Sequence, residues 1–463
     1  MLRLLRLATA LLVGAVAVVG LVAVGPAGAA PGAFEPADEI ATAPATSPSR
    51  YEALGPCRII DQRTGLGIHD ADGHHIVTIL DRTPCDIPDG ATSILTTITI
   101  TGPASDGFTV GYATGASVPE VAQLNHRRGE TRANGALIPL STNRSISFFR
   151  LDGVSSGSLV VDVVGAFIPS GPTSSGRLVA PDTATRLLDT RSGASAPPAD
   201  RATLRVPLPD HVPADATALV VTAVVAGSTA PGFLTLSPAG SPRPTASTLN
   251  VDGPGQFRSG TTIVPVTADG FDVYVHSAAH VVIDTTGWVT GPSAEASTDG
   301  LFVAAPPTRL RDTRNEPSPI NPGGTIEIGV PTPPGASAAA VLTSITMMQG
   351  DRPSFIAAHA ARSPRGGVSS GNTLGGEFVA QASVTAMSPH GIAVFSLGRV
   401  DVTVDLFGWF LGPPAAPTEP PASNPMPRQR VLTIGDSVQA GIERNAAFDA
   451  LRGARFEVRA ESC

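Results

Sequence analysis

Lysine is absent: all 31 basic residues of this 463-residue chain are arginine. Charged residues make up only 15%, and the balance is −8. A chain so poor in cations lacks the basic face that nucleic acid requires, which excludes a nucleic-acid partner. Aromatic residues are 5%, with two Trp, a thin supply for a lectin-like surface built from stacked rings. Long helices are also excluded. The 49 Gly and 44 Pro interrupt the Ala/Glu/Lys/Leu runs that coiled coils and helical arrays need. What remains is a 42% hydrophobic content, enough to build cores and too much for wholesale disorder. The length predicts about two to four domains.

The N-terminus has the layout of an export signal. Arg3 and Arg6 precede an uncharged apolar run from Leu7 to Gly25, and Ala27-Gly28-Ala29 offers small residues for cleavage. Residues 1–30 are therefore expected to be a signal peptide. The run is also close to the length of a membrane span, so an uncleaved membrane anchor is the alternative. Either way the rest of the chain is expected outside the cytoplasm, secreted or at the cell surface. Residues 31–50 are expected to be a disordered, Pro-rich leader. In an oxidising compartment Cys57 and Cys85 are the disulfide candidates, while Cys463 has no obvious partner.

Internal repetition decides the architecture. Arg58-Ile59-Ile60-Asp61-Gln62-Arg63 returns as Arg186-Leu187-Leu188-Asp189-Thr190-Arg191 and as Arg309-Leu310-Arg311-Asp312-Thr313-Arg314. A closing phrase returns as well: Asp162-Val163-Val164-Gly165, Asp284-Thr285-Thr286-Gly287, Asp405-Leu406-Phe407-Gly408. The spacing predicts three β-modules, over 51–170, 177–292 and 301–413. That period is too long for a solenoid unit, so each copy is expected to have its own core. Residues 92–101, TSILTTITIT, alternate apolar and hydroxyl side chains and predict a half-buried strand. Gly and Pro end the apolar runs, as in a β-sandwich or jelly roll.

An Asp inside a buried strand is costly unless paired. An Arg–Asp stitch between the first and last strand of each copy is therefore a simpler account of the repeated phrases than a binding site copied three times. His69-Asp70-Ala71-Asp72-Gly73-His74-His75 has the chemistry of a metal cluster. Asp-Gly at its centre marks a hairpin tip, and no metal or other cofactor is expected. The modules resemble the RLLDTR-type repeat domains of secreted actinobacterial proteins. The resemblance rests on the two phrases, on the midway pairs Leu124-Asn125 and Leu249-Asn250, and on the closing Gly287-Trp288 and Gly408-Trp409. The first copy departs at Gln62 and Ala166, and the third has Leu374-Gly375 in the midway region. The resemblance implies an accessory, surface-exposed role.

Prolines crowd residues 414–429 and predict a stiff polyproline spacer. The pattern then changes. Arg430 to Ile434 reads as a strand, Gly435-Asp436-Ser437 as a turn with a helix cap, and Val438 to Leu451 as a helix. This is the opening of an α/β domain, with Ser437 at the carboxyl end of a strand and the start of a helix, where its backbone N–H could help hold an oxyanion. Ile434-Gly435-Asp436-Ser437-Val438 resembles the first block of the SGNH (GDSL-type) hydrolases. That resemblance implies a flavodoxin-like fold, Ser437 as nucleophile and first oxyanion donor, and Gly435 and Asp436 shaping the turn. It also implies an acyl-ester or acetylated carbohydrate substrate. The family's further Gly, Asn and Asp-x-x-His blocks do not occur between Ser437 and Cys463, so residues 430–463 are expected to be an inactive N-terminal fragment of such a domain. The expected fold class is thus mainly β: three tandem β-sandwich-like modules, a linker, and the start of an α/β unit. The leading function is an exported serine acyl hydrolase with accessory modules. The alternative is a non-catalytic binding or stalk protein, with a cell-envelope polysaccharide as its partner.

Overall fold

The computed structural model describes residues 47–192, 196–315 and 318–424. The expected signal peptide, Cys463 and the whole segment around Ser437 lie outside these residues. The first copy runs through β1 (Ser49–Asp61), β2 (Asp70–Asp72), β3 (His75–Ile79), β4 (Ser93–Thr101), β5 (Gly107–Ala113), β6 (Leu124–His126), β7 (Thr131–Pro139), β8 (Ser145–Arg150) and β9 (Ser158–Pro169). The second contains β10 (Leu178–Val179), β11 (Thr185–Asp189), β12 (Ala202–Val206), β13 (Ala218–Ala226), β14 (Gly232–Pro238), β15 (Leu249–Val251), β16 (Phe257–Pro265), β17 (Phe271–His276) and β18 (His280–Val289). The third contains β19 (Phe302–Asp312), β20 (Thr325–Ile328), β21 (Ala338–Met348), β22 (Ser354–Ala360), β23 (Gly371–Thr373), β24 (Phe378–Ala386), β25 (Ile392–Ser396) and β26 (Asp401–Leu411).

Every copy is a sandwich of two antiparallel sheets. In the first, β1-β9-β4-β7 faces β2-β3-β8-β5-β6; in the second, β10/β11-β18-β13-β16 faces β12-β17-β14-β15; in the third, β19-β26-β21-β24 faces β20-β25-β22-β23. The first strand lies beside the last, and most successive strands cross between sheets, which is jelly-roll connectivity. Ser49 pairs with Phe302, so the inner sheets of the first and third copies run on as one eight-stranded sheet.

Separate apolar clusters fill the three sandwiches. Ile59, Ile98 and Phe148 belong to the first, Val221, Leu234 and Val273 to the second, and Val341, Ile356 and Val404 to the third. A fourth cluster is shared. Tyr51, Leu95 and Phe167 of the first copy pack with Val220 and Ile263 of the second and with Phe302, Leu342 and Phe410 of the third. The rings of Phe167 and Phe302 lie 4.3 Å apart, and those of Phe302 and Phe410 5.0 Å. The inner sheets thus carry apolar side chains on both faces, one for their own sandwich and one for their neighbours. This explains why β4 differs from the half-buried strand its alternation predicts. Thr97 and Thr99 are buried because the face they share meets protein instead of water, while Thr96, on the core face with Ile94 and Ile98, donates to the Ala136 carbonyl.

The three inner sheets meet about an approximate threefold axis. Gly135, Thr261 and Ala382 occupy the same register position on β7, β16 and β24. A Cβ on Gly135 would stand 2.5 Å from the Thr261 carbonyl oxygen and 3.4 Å from the Ala382 Cβ. Only glycine allows that approach of one backbone to another.

One departure between copies has a volume explanation. Strand pairing aligns Leu124 and Leu249 with Gly371, and Asn125 and Asn250 with Asn372. The midway pair of the third copy is therefore Gly371-Asn372, not Leu374-Gly375. Met347 takes the space of the missing leucine: its methyl would lie 2.9 Å from a Cβ on Gly371. Ala166 stands where the other copies have Trp288 and Trp409, a difference that nothing in the structure explains. Cys57 and Cys85 are disulfide-bonded with their Cα atoms 5.8 Å apart, which ties the loop around Cys85 to β1.

The Pro-rich segment, as far as Asn424, lies along the third copy. Ala415 donates to the Met387 carbonyl, Thr418 and Glu419 to that of Arg362, and Ala422 to the Glu327 carboxylate. Residues 414–424 of the predicted spacer are thus held against the third copy, and the rest of it lies outside the described residues.

Candidate functional site

The repeated arginines and aspartates form one motif three times. Arg58 donates through Nε and Nη2 to the two carboxylate oxygens of Asp162, at 2.9 and 3.2 Å. Arg186 does the same to Asp284, at 2.5 and 3.3 Å, and Arg309 to Asp405. Each is a stitch from the first strand to the last, set by the register that places Arg58 opposite Asp162, Arg186 opposite Asp284 and Arg309 opposite Asp405. The Nη1 of the same arginine bonds the next aspartate, Asp61, Asp189 or Asp312. That aspartate in turn grips Arg63, Arg191 or Arg314. Burial pushes the carboxyls of Asp162, Asp284 and Asp405 up, against the pull of their arginines. The side-chain hydrogen bonds of Arg63, Arg191 and Arg314 hold Asp61, Asp189 and Asp312 below the usual carboxylate range.

Each stitching arginine has one more contact, and it leaves the copy. Arg58 donates to the Thr245 carbonyl of the second copy, Arg186 to the Gly367 carbonyl of the third, and Arg309 to the Glu120 carbonyl of the first. The three bonds close a cycle. A second tie lies deeper. Glu130 and Arg132 of the first copy, Arg258 of the second and Glu377 of the third form a four-charge node whose side chains are 1–7% exposed. Arg258 donates to Glu130 at 2.7 Å and to Glu377 at 3.1 Å, and Arg132 to Glu377 at 3.2 Å. Burial alone would raise Glu377, but Arg132 and Arg258 together hold it below its usual range. Two cations and two anions balance, which is the condition for burying them.

The His/Asp run of the first copy is a hairpin, with Asp72 paired to His75 and Gly73 at φ 48°. Its histidines point to separate partners: His69 Nδ1 to the Gly67 carbonyl, His74 Nδ1 to that of Arg150, and His75 Nδ1 to the Tyr112 hydroxyl. Among the described residues no three His, Cys, Asp or Glu side chains are grouped to hold a metal ion. Arg150, Asp152 and His126 form a fully buried row, with Arg150 bonded to Asp152 at 2.9 Å and His126 3.5 Å from it. Burial pushes the His126 imidazole below its usual range, against the pull of Asp152. Arg150 also donates to Gln62 and to the Ser156 carbonyl. Gln62 in turn accepts from the Leu159 amide, the task that Thr190 and Thr313 perform for Val281 and Val402 in the other copies. This row closes the end of the first sandwich.

Of the sequence-predicted site residues, the disulfide pair is brought together as described, while Gly435, Asp436 and Ser437 lie outside the described residues. Sequence reasoning did not identify a cleft of about 190 Å³ between the first and second copies, walled by Arg58, Arg63, Thr99, Thr131, Phe233 and Asn250 among others. Its signal was present once the copies are aligned. Thr131 stands at the strand end where the other copies have Phe257 and Phe378.

No family model and no curated protein matches this sequence. Among solved structures, one from the Sulfolobus Turreted Icosahedral Virus is similar over 79% of this chain and 91% of that chain, at 10% identity and a TM-score of 0.16. So low a score carries no argument about this protein. Among the described residues no helix is long and apolar enough to cross a membrane.

Proposed function

We propose that the three-copy body is a rigid, non-catalytic platform of an exported protein, and that any acyl-ester hydrolysis belongs to the segment around Ser437. The platform reading rests on one observation. The Arg and Asp side chains that a threefold-repeated binding site would have to offer are engaged within the body, in stitches and in the cycle between copies. Support for the hydrolytic reading comes from sequence: Ile434-Gly435-Asp436-Ser437-Val438, with Ser437 in the place of a nucleophile that a downstream Asp-x-x-His would activate. In this arrangement the body tethers the hydrolase at the cell surface, where acylated polymers are its substrates.

The test is enzymatic. A chain continued past residue 463 through an Asp-x-x-His segment is expected to hydrolyse short-chain p-nitrophenyl esters, and Ser437→Ala to abolish this. Residues 47–424 alone are expected to be inert. Silence of the continued chain across ester and acetyl-sugar substrates would remove the hydrolase reading, and turnover by residues 47–424 would remove the platform reading.

A further inference from the structure

The three junctions between copies are built alike but do not leave the same space. At the first junction the strand ends facing the neighbouring copy carry hydroxyls: Thr99 and Thr101 on β4, and Thr131 on β7 opposite Thr101. The equivalent positions of the second copy are Val224, Ala226 and Phe257, and those of the third are Thr346, Met348 and Phe378. Two copies thus place a phenyl ring where the first has a threonine, and both rings remain more than two-fifths exposed. The first junction, with its threonine in place of a ring, holds the cleft of about 190 Å³.

The chemistry of its walls is specific. Thr99 lines the floor of the cleft, with its hydroxyl shielded from it. Thr101 and Thr131 hydroxyls, 3.2 Å apart, share a single hydrogen bond and keep further capacity. Across the cleft, Ser247 donates to Asn250 Oδ1, and the Asn250 amide nitrogen can still donate. Phe233 forms an aromatic wall, with one face stacked on His276 at 4.7 Å and an interplanar angle of 7°. Charge is present but cancelled: Arg58 and Arg63 are matched by Asp162 and Asp61. Anions therefore meet no net positive field here. Hydroxyls, an amide and a ring around a charge-neutral space suit a neutral polyhydroxylated ring. The volume lies below the ~300–1,000 Å³ of sites for drug-sized ligands and suits a single sugar unit.

From this we infer that the cleft between the first and second copies binds one unit of a neutral polysaccharide, whose ring lies on Phe233 and whose hydroxyls meet Thr101, Thr131 and Asn250. The site adds a ligand to the platform and does not depend on Ser437. A threonine in place of the phenyl ring occurs at one junction of the three, so a single equivalent is expected to bind per chain.

Chitotriose, cellotriose and mannotriose, with trigalacturonate as the anionic counterpart, are titrated calorimetrically into the full chain. At least one neutral trisaccharide is expected to bind at one site, more tightly than trigalacturonate. Thr131→Phe copies what the other copies carry at this position, so folding is preserved. It is expected to weaken that binding at least roughly tenfold without lowering Tm. Asn250→Ala provides an independent reduction. No binding of any neutral probe, tighter binding of trigalacturonate, or neutral binding untouched by Thr131→Phe would each overturn the assignment.

Discussion

Glu377→Gln tests how tightly the three copies are joined. The substitution keeps volume and removes one charge from a node whose four side chains are almost fully shielded from water. Arg132 and Arg258 would then share the single carboxylate of Glu130. Removing one partner from a buried ion pair costs about 3–5 kcal/mol, because the remaining charge stays desolvated. At about 2.1 cal/mol/K of unfolding entropy per residue, a body of this size loses roughly 1.3 °C of Tm per kcal/mol, so a fall of roughly 4–6 °C is expected. Scanning calorimetry reads both the shift and the number of transitions. The node joins all three copies, so the transition should stay single while moving down. The double variant Arg132→Leu/Glu377→Leu restores the charge balance and should recover part of the loss. A Tm unchanged to within about 1 °C, or a double variant less stable than the single one, would refute the reasoning.

Further outcomes follow from the same geometry. Reducing the Cys57–Cys85 disulfide, or replacing both residues by Ser, removes a 28-residue separation from the unfolded-state constraint. It should cost about 3.6 kcal/mol by loop closure, read as a lower urea midpoint. Gly135→Val drives a side chain toward the Thr261 carbonyl and should destabilise by ~1–3 kcal/mol, whereas Gly171→Ala, which meets nothing within 4 Å, should be neutral. Asp189 is held below the usual carboxylate range by Arg191. Its contribution is therefore present above its ordinary pKa and is lost as pH falls through the lower, folded value. The stability gap between the wild type and Asp189→Asn should narrow in urea titrations below about pH 4, and a gap constant with pH would contradict the pairing.

The sequence made much of the β-body legible, for identifiable reasons. Repeated phrases at nearly equal spacing exposed the copies, and an Asp in each closing strand required a partner, which the opening phrase supplied as Arg58, Arg186 and Arg309. Alternation in β4 predicted a strand but assigned its threonines to water. The pattern within one copy cannot register that a neighbour covers the second face. The shared core of Tyr51, Phe167, Phe302 and Phe410 was hidden for the same reason, since each residue reads as ordinary apolar filling. Leu374-Gly375 was aligned by letter similarity, whereas strand pairing selects Asn372, because Met347 and Gly371 exchange volume. The cleft was invisible in any single copy and becomes apparent as a difference, Thr131 against Phe257 and Phe378.

Small-angle scattering from residues 47–424 addresses the central claim that the copies close on one another through a cycle of arginine bonds and a common core. The compact-body scaling gives a radius of gyration of about 21 Å, whereas three separate domains in a row would give roughly 30 Å or more. A value near the first, with a single-peaked distance distribution, is the result expected of a closed ring. A value near the second would mean that the bonds from Arg58, Arg186 and Arg309 to the neighbouring carbonyls do not hold the copies together.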